Sequence, residues 1–416
     1  MNQDSASKRL IAIALIGGAC FGASLLVLGI TNERQGRFSD AQREIASKWG
    51  ERQVIAGPMI LAGDPSLAIR VLPEAVHFAI ILDPEVRSRG IFKSVVYTSK
   101  VTVSGEFSAD EIARKAGGRG TAVFSLPITD TRGIERQFQL SWNSATYAFE
   151  PGPGTSLGGS SGLHAPVSLN AISEKIPFSF ELQLKGSEGI SFAPVGNETI
   201  VSVSSPWVLP KFVGAFLPSQ REVSASGFNA EWRISSFGRS YPQTWTCETV
   251  TLQQLIDSAA GVDLYQGVDM YDMIFRSVKY AILFIIVTFA VFFLFDVLTK
   301  VRVHPIQYFL IGAALALFYI LLLSLAEQIG FLIAYAAATA MITILVTLYS
   351  AFVLKSKRRA VPIAAMLVAL YGYLYFILQL EDYALLFSSL LLFVLLAAIM
   401  YLTRNIDWFA LGEKQA

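Results

Sequence analysis

Glu381 and Asp382 stand side by side in LQLEDYALL, between two runs apolar enough to cross a lipid bilayer. A carboxylate pair inside a membrane can relay protons or hold a transported cation, because an ionised group at mid-bilayer is too costly to keep idle. Position argues otherwise. About 20 apolar residues precede Glu381 and about 20 follow Asp382, which sets both at a membrane surface. Asp382 then suits the N-cap of the next helix, accepting bonds from backbone N–H groups that lack an intrahelical partner. Glu327 repeats the arrangement in Ala326-Glu327-Gln328. Asp296 lies about one turn from the end of its apolar run, near Lys300 and Arg302, within reach of water or a partner. His304 precedes Pro305 where another run begins, and Arg404 follows the last run. No acidic, basic or histidine side chain falls near the midpoint of any run. Asp296, His304, Glu327, Glu381, Asp382 and Arg404 are therefore read as boundary positions with structural roles.

Other candidate chemistry is sparse. Gly158-Gly159-Ser160-Ser161-Gly162 matches G-x-S-x-G, and His164 is close by. A nucleophile elbow needs a strand leading in and a helix leading out, whereas these flanks are loop-forming Gly, Pro and Ser. The match is set aside, and no catalytic residue is assigned. His77, His164 and His304 are far apart, and no H-E-x-x-H or phosphate-cradling G-x-x-x-x-G-K pattern occurs. No metal or cofactor is expected. Cys20 falls inside an apolar run, so it and Cys247 do not make a disulfide framework or a zinc site.

The elements that carry these residues follow from hydropathy. The chain has 416 residues, 53% of them hydrophobic, with a mean hydropathy of +0.50. A bilayer core about 30 Å thick needs about 20 apolar residues in a helix. Six stretches qualify: 10–30, 280–298, 307–326, 329–353, 361–380 and 383–402. Basic residues in short loops stay on the cytoplasmic side. Lys8 and Arg9, Lys300 and Arg302, Lys355 to Arg359, and Arg404 with Lys414 all fall on one side of a six-span path. Residues 1–9 and 405–416 are then cytoplasmic, 10–30 an anchor, and 276–404 a five-helix bundle. A cleaved or lipidated leader ending at Cys20 is the rival reading; the apolar run continues to Ile30, which favours a retained anchor.

Residues 31–275 form an exterior domain with 21 basic and 25 acidic residues. That balance gives no electrostatic reason to bind nucleic acid. Phe38, Ala41, Ile45 and Trp49 recur at helical spacing, so a short amphipathic helix leads away from the membrane. VVYTSKVTVSGEF (95–107), IPFSFELQLKGSEGISFAP (176–194) and ETIVSVSSPW (198–207) then alternate with period two. The fold class expected is an integral membrane protein with six transmembrane helices and a large, antiparallel, β-rich extracytoplasmic domain. PGPGTSLGGSSGLHAP (151–166) reads as a long loop within that domain, which is taken as one β unit.

KWGERQVIAGPMI (48–60), LDPEVRSRGIFKSVVYTSKVTVSGEF (82–107), DTRGIERQFQLSW (130–142) and WVLPKFVGAFLP (207–218) resemble the outer domain of the CreD family of bacterial inner-membrane proteins. KYAILFIIVTFAVFFLFDVL (279–298), HPIQYFLIGAALALFYILLLSLAEQIGFLIAY (304–335), YGYLYFILQLEDYALL (371–386) and MYLTRNIDW (400–408) resemble its membrane blocks. Residues 31–47 and the Gly/Ser loop depart most from the family's pattern. The resemblance implies a role in envelope integrity, in responses to envelope stress and cell-wall antibiotics, and in colicin tolerance. It carries over no catalytic residue. The partners expected are the lipid bilayer and an envelope component met by the outer domain. A transporter or channel component with an exterior gating domain is the alternative.

Overall fold

The computed structural model describes residues 3–63, 69–117, 120–154, 161–169, 174–246, 249–264, 270–299, 303–380 and 383–404. Two contact-dense units share the chain: Met1–Arg37 with Val268–Ala416, and Phe38–Gly267.

Helix α1 runs unbroken over Gln3–Trp49. The short helix expected at 38–49 is its continuation, because the polar stretch after Ile30 is rich in helix formers. Glu33–Arg37, Asp40–Arg43 and Glu44–Lys48 pair at helical spacing, at 2.6, 2.6 and 2.8 Å. Exposed pairs of this kind add about 0.3–0.5 kcal/mol each. The helix stops at Gly50, where an added Cβ would lie 2.7 Å from the Lys185 carbonyl oxygen.

Two short helices belong to the second unit. Helix α2 (Ala109–Ala116) is capped by the Ser108 hydroxyl and closed by Gly117 in the left-handed region. Helix α3 (Leu252–Asp257) opens with a Thr251–Gln254 capping box. The apolar C-terminal third folds into α4 (Met270–Lys279), α5 (Ala281–Thr299), α6 (Pro305–Ile329), α7 (Phe331–Val353), α8 (Lys357–Gln379) and α9 (Ala384–Thr403). Among the described residues, α1, α6, α7 and α8 are each long and apolar enough to cross a membrane. The pair Met270–Lys279 and Ala281–Phe293, bent by 41°, qualifies jointly, and Leu385–Ala398 is a shorter apolar stretch. Length and composition thus support four or five crossings. Helix α4 was not legible as a separate element; the sequence-drawn boundary at 275–276 falls inside it.

The bundle core is aromatic. Phe318 of α6 packs 4.5 Å from Tyr371 of α8 and 5.6 Å from Tyr335 of α7, centroid to centroid. Gly312 lets α6 approach α1, since a Cβ there would come within 2.5 Å of the Cys20 sulfur.

In Phe38–Gly267 the period-two segments become strands of three sheets. The largest has eight, in the order Gln220–Ser224, Gly227–Ser235, Glu198–Ser205, Ala75–Arg89, Phe92–Ser108, Lys175–Ser187, Gln139–Trp142 and Ala145–Ala148. A six-stranded sheet orders Thr244–Thr246, Ile69–Val71, Met59–Ala62, Thr121–Pro127, Gly162–Ser168 and Glu150–Pro151. A four-stranded sheet orders Gln53–Ile55, Gly189–Phe192, Ala260–Leu264 and Pro210–Gly214. One apolar core draws on all three. Lys175–Ser187 shows the alternation plainly, burying Ile176, Phe178, Phe180, Leu182 and Leu184 and turning intervening residues outward.

Pairing is mostly antiparallel, as expected. Among the described residues two pairs are parallel: Ala75–Arg89 with Glu198–Ser205, and Gln53–Ile55 with Gly189–Phe192. Strand partners so distant in sequence are set by the core, and alternation alone does not reveal their direction. The expected loop over 151–166 is also shorter than read. From Gly162 the chain pairs with Thr121–Pro127, because Leu163 to Val167 supply a short alternating stretch that the Gly/Ser-rich lead-in obscured.

Candidate functional site

The polar positions read from the sequence have different fates. His304 is the N-cap of α6: its Nδ1 accepts from Ile306 N at 3.3 Å, and Gln307 completes a capping box. Arg404 is exposed, with its guanidinium 4.0 Å from the Tyr401 ring centroid. Asp296 lies within α5, in a stretch whose side chains are not described. Glu381 and Asp382 lie outside the described residues, as do Cys247 and Gly158 to Ser160.

Glu327 has partners that its neighbours in sequence do not announce. Its side chain is only 8% exposed; Tyr271 of α4 donates to it at 3.1 Å, and Arg34 of α1 stands 3.9 Å away. Five residues beyond Tyr271, Arg276 donates to the carbonyl oxygens of Ile377 (3.1 Å) and Leu380 (2.6 Å), which end α8. A cation at a helix C-terminus is electrostatically favoured. These contacts tie α1, α4, α6 and α8 together at one end of the bundle. Arg34, Tyr271 and Arg276 were missed because they lie outside the apolar runs that drew attention.

A second polar network sits where α1 meets the sheets. The Trp49 ring lies between the Arg87 guanidinium, 3.8 Å away, and the Lys185 ammonium, 4.3 Å away. Its indole donates to Tyr97 O at 3.2 Å. Glu44 pairs with Arg89 and Phe38 packs against Phe92, so the helix follows the end of the long hairpin. Asp130, buried beside this joint, accepts from Glu51 N and Arg132 N, both at 3.0 Å, and from Arg132 Nε at 2.9 Å. Burial pushes its carboxyl up, but these donors and the Arg132 charge outweigh that and hold it below the usual carboxylate value. Burial pushes the Tyr97 phenol up; its hydroxyl donates to Gly189 O at 2.9 Å.

The open face of the eight-stranded sheet carries two adjoining depressions of about 350 and 360 Å³. Ser202, Ser204, Asn229 and Glu222 line them, with Ile81 as an exposed apolar floor. With Arg221 also on the lining, their chemistry is hydroxyl, amide, carboxylate and guanidinium, suited to a polar ligand held by hydrogen bonds.

A catalytic arrangement is not assembled among the described residues. His164 Nδ1 meets Gly152 O at 2.9 Å, its Nε2 lies 3.6 Å from Glu150, and Ser161 bonds Thr131 at 3.0 Å. No group of three His, Cys, Asp or Glu side chains among the described residues is placed to hold a metal ion.

Residues 64–409 match the family model described as Inner membrane protein CreD. The chain is 32% identical over 424 residues to a protein of that name from Escherichia coli strain K12, covering 94% of this chain and 92% of the relative.

Proposed function

Because the chain belongs to the CreD family of inner-membrane proteins, we propose that it supports cell-envelope integrity without catalysis of its own. In this reading residues 31–275 lie in the periplasm and bind or sense an envelope component. Six helices cross the membrane and both termini are cytoplasmic. The observation that carries the reading is the polar trough at Ser202, Ser204 and Asn229, on a sheet domain whose described residues assemble no catalytic group. Envelope stress and cell-wall antibiotics are the conditions under which occupancy would change. A photo-crosslinking residue at Asn229 tests it in living cells. Capture of an envelope component that changes with a cell-wall antibiotic supports the reading. Hydrolysis of an envelope polymer by the purified protein, lost on a single substitution, overturns it.

A transporter or channel component is the second reading, favoured by the enclosed carboxylate of Glu327 within an apolar bundle. Solute flux in proteoliposomes, abolished by Glu327→Gln, would establish it. Equal leakage with and without the protein removes it.

A further inference from the structure

A guanidinium keeps its charge at physiological pH and has only donors, so burying one without an acceptor is costly. Arg70 is 1% exposed, at the centre of Ile69–Val71. Its Nε and Nη1 are enclosed without a hydrogen-bond partner, and no carboxylate among the described residues pairs with it. Strand register fixes its surroundings. Arg70 pairs with Leu61 on one side and Trp245 on the other, and directly paired residues project from the same face of a sheet. The Trp245 indole N–H is likewise enclosed and unmet. Trp245 packs 6.1 Å from Tyr241, and the Arg239 guanidinium lies 5.2 Å from the Tyr241 ring centroid, with its own Nε unmet. Arg239's other nitrogens donate to Pro194 O, Val195 O and Gln243, all neutral acceptors.

Every unmet group along this row is a donor, and two of the three side chains are cations. These side chains cannot satisfy one another, because neither arginine nor tryptophan can accept. We infer that Arg70 and Trp245 line a binding site for an oxyanion, a carboxylate or phosphate group, at the edge strand Thr244–Thr246, with the Arg239 guanidinium beside Tyr241 as a further cation. Such a group supplies the missing acceptors and offsets the buried charge together. A neutral ligand would do only the first. The inference is independent of what the trough meets in the envelope.

The test uses the full chain in detergent, with phosphate, sulfate and acetate compared against chloride at matched ionic strength. Salting-out raises every variant's unfolding temperature alike, so the readout is the difference between wild type and Arg70→Met. Wild type should show a saturable rise with at least one oxyanion, and Arg70→Met should lose it. Trp245→Phe should weaken apparent affinity about tenfold, the scale of one charge-assisted hydrogen bond. A rise with phosphate but not acetate assigns a phosphate site, and the reverse a carboxylate site. Equal shifts in wild type and Arg70→Met overturn the inference. If Arg70→Met does not fold, Trp245→Phe alone decides: an affinity unchanged from wild type is contradictory.

Discussion

Tyr271 on α4 donates its hydroxyl to the carboxylate of Glu327 on α6 at 3.1 Å, across 56 residues of sequence. The bond joins an amphipathic helix ahead of the main apolar run to the turn between two membrane helices. A hydrogen bond to a charged group contributes about 1.5–3 kcal/mol. Tyr271→Phe should lower unfolding stability in detergent by that amount. Glu327→Gln keeps an acceptor oxygen for Tyr271, in a neutral bond of about 1 kcal/mol, and loses the Arg34 charge pair. That pair is long and Arg34 is 41% exposed, so its share stays below about 1 kcal/mol and the whole cost should stay below that of Tyr271→Phe. Equal costs would contradict this division.

Trp49 should be the anchor of α1 on the sheet domain. Two cations flank its ring and its indole donates to Tyr97 O. At about 0.5–1 kcal/mol per cation–π contact and about 1 for the hydrogen bond, Trp49→Ala should cost about 2–3 kcal/mol. Trp49→Phe should recover roughly half, as a weaker ring without the donor. Chemical denaturation of the two variants measures both.

Acid should weaken the same joint through Asp130. Its folded carboxyl titrates below the ordinary carboxylate value, because Arg132 and two backbone N–H groups favour the ionised form despite burial. The unfolded carboxyl titrates at about 3.9. The contribution is therefore full above that value and disappears as pH falls through the lower folded value. Unfolding free energy followed from pH 6 downward should decline less steeply in Asp130→Asn than in wild type. Parallel curves would show that Asp130 is not the titrating group.

Gly105 is demanded by close approach. A Cβ there would lie 2.2 Å from the Ala75 carbonyl oxygen and 2.8 Å from the Phe178 ring. Phe178 belongs to a tight aromatic cluster with Phe107 and Phe124, at 5.2 and 5.4 Å. Gly105→Ala should destabilise the domain by about 1–3 kcal/mol, the cost of overpacking. Stability equal to wild type in thermal unfolding would show that the two strands can separate freely there.

Much of the architecture was legible because hydropathy and period two are strong local signals. The strand from Phe92 to Ser108 and the helix from Pro305 to Ile329 stand close to where their patterns set them. The parallel pairing of Ala75–Arg89 with Glu198–Ser205 was not legible, since alternation is the same in either direction. His304 could be anticipated at the head of α6 because Pro305 follows it. The partners of Glu327 could not, because Tyr271 and Arg34 reach it only through packing. Arg70 sits in a short strand where nothing local distinguishes a buried arginine from an exposed one; register and burial expose the problem.

Sidedness is the premise of the proposed periplasmic role, and Phe237 offers a direct measurement of it. It is 99% exposed on the turn Ser236–Gly238 of the sheet domain. In a background with Cys20 and Cys247 replaced by Ala, the Phe237→Cys variant would be treated with a membrane-impermeant maleimide in intact spheroplasts, beside Ser356→Cys from the α7–α8 turn. Labelling of the first variant before lysis, and of the second only after it, is the expected result. Labelling of the Phe237→Cys variant only after lysis would put the sheet domain in the cytoplasm and contradict the proposed function.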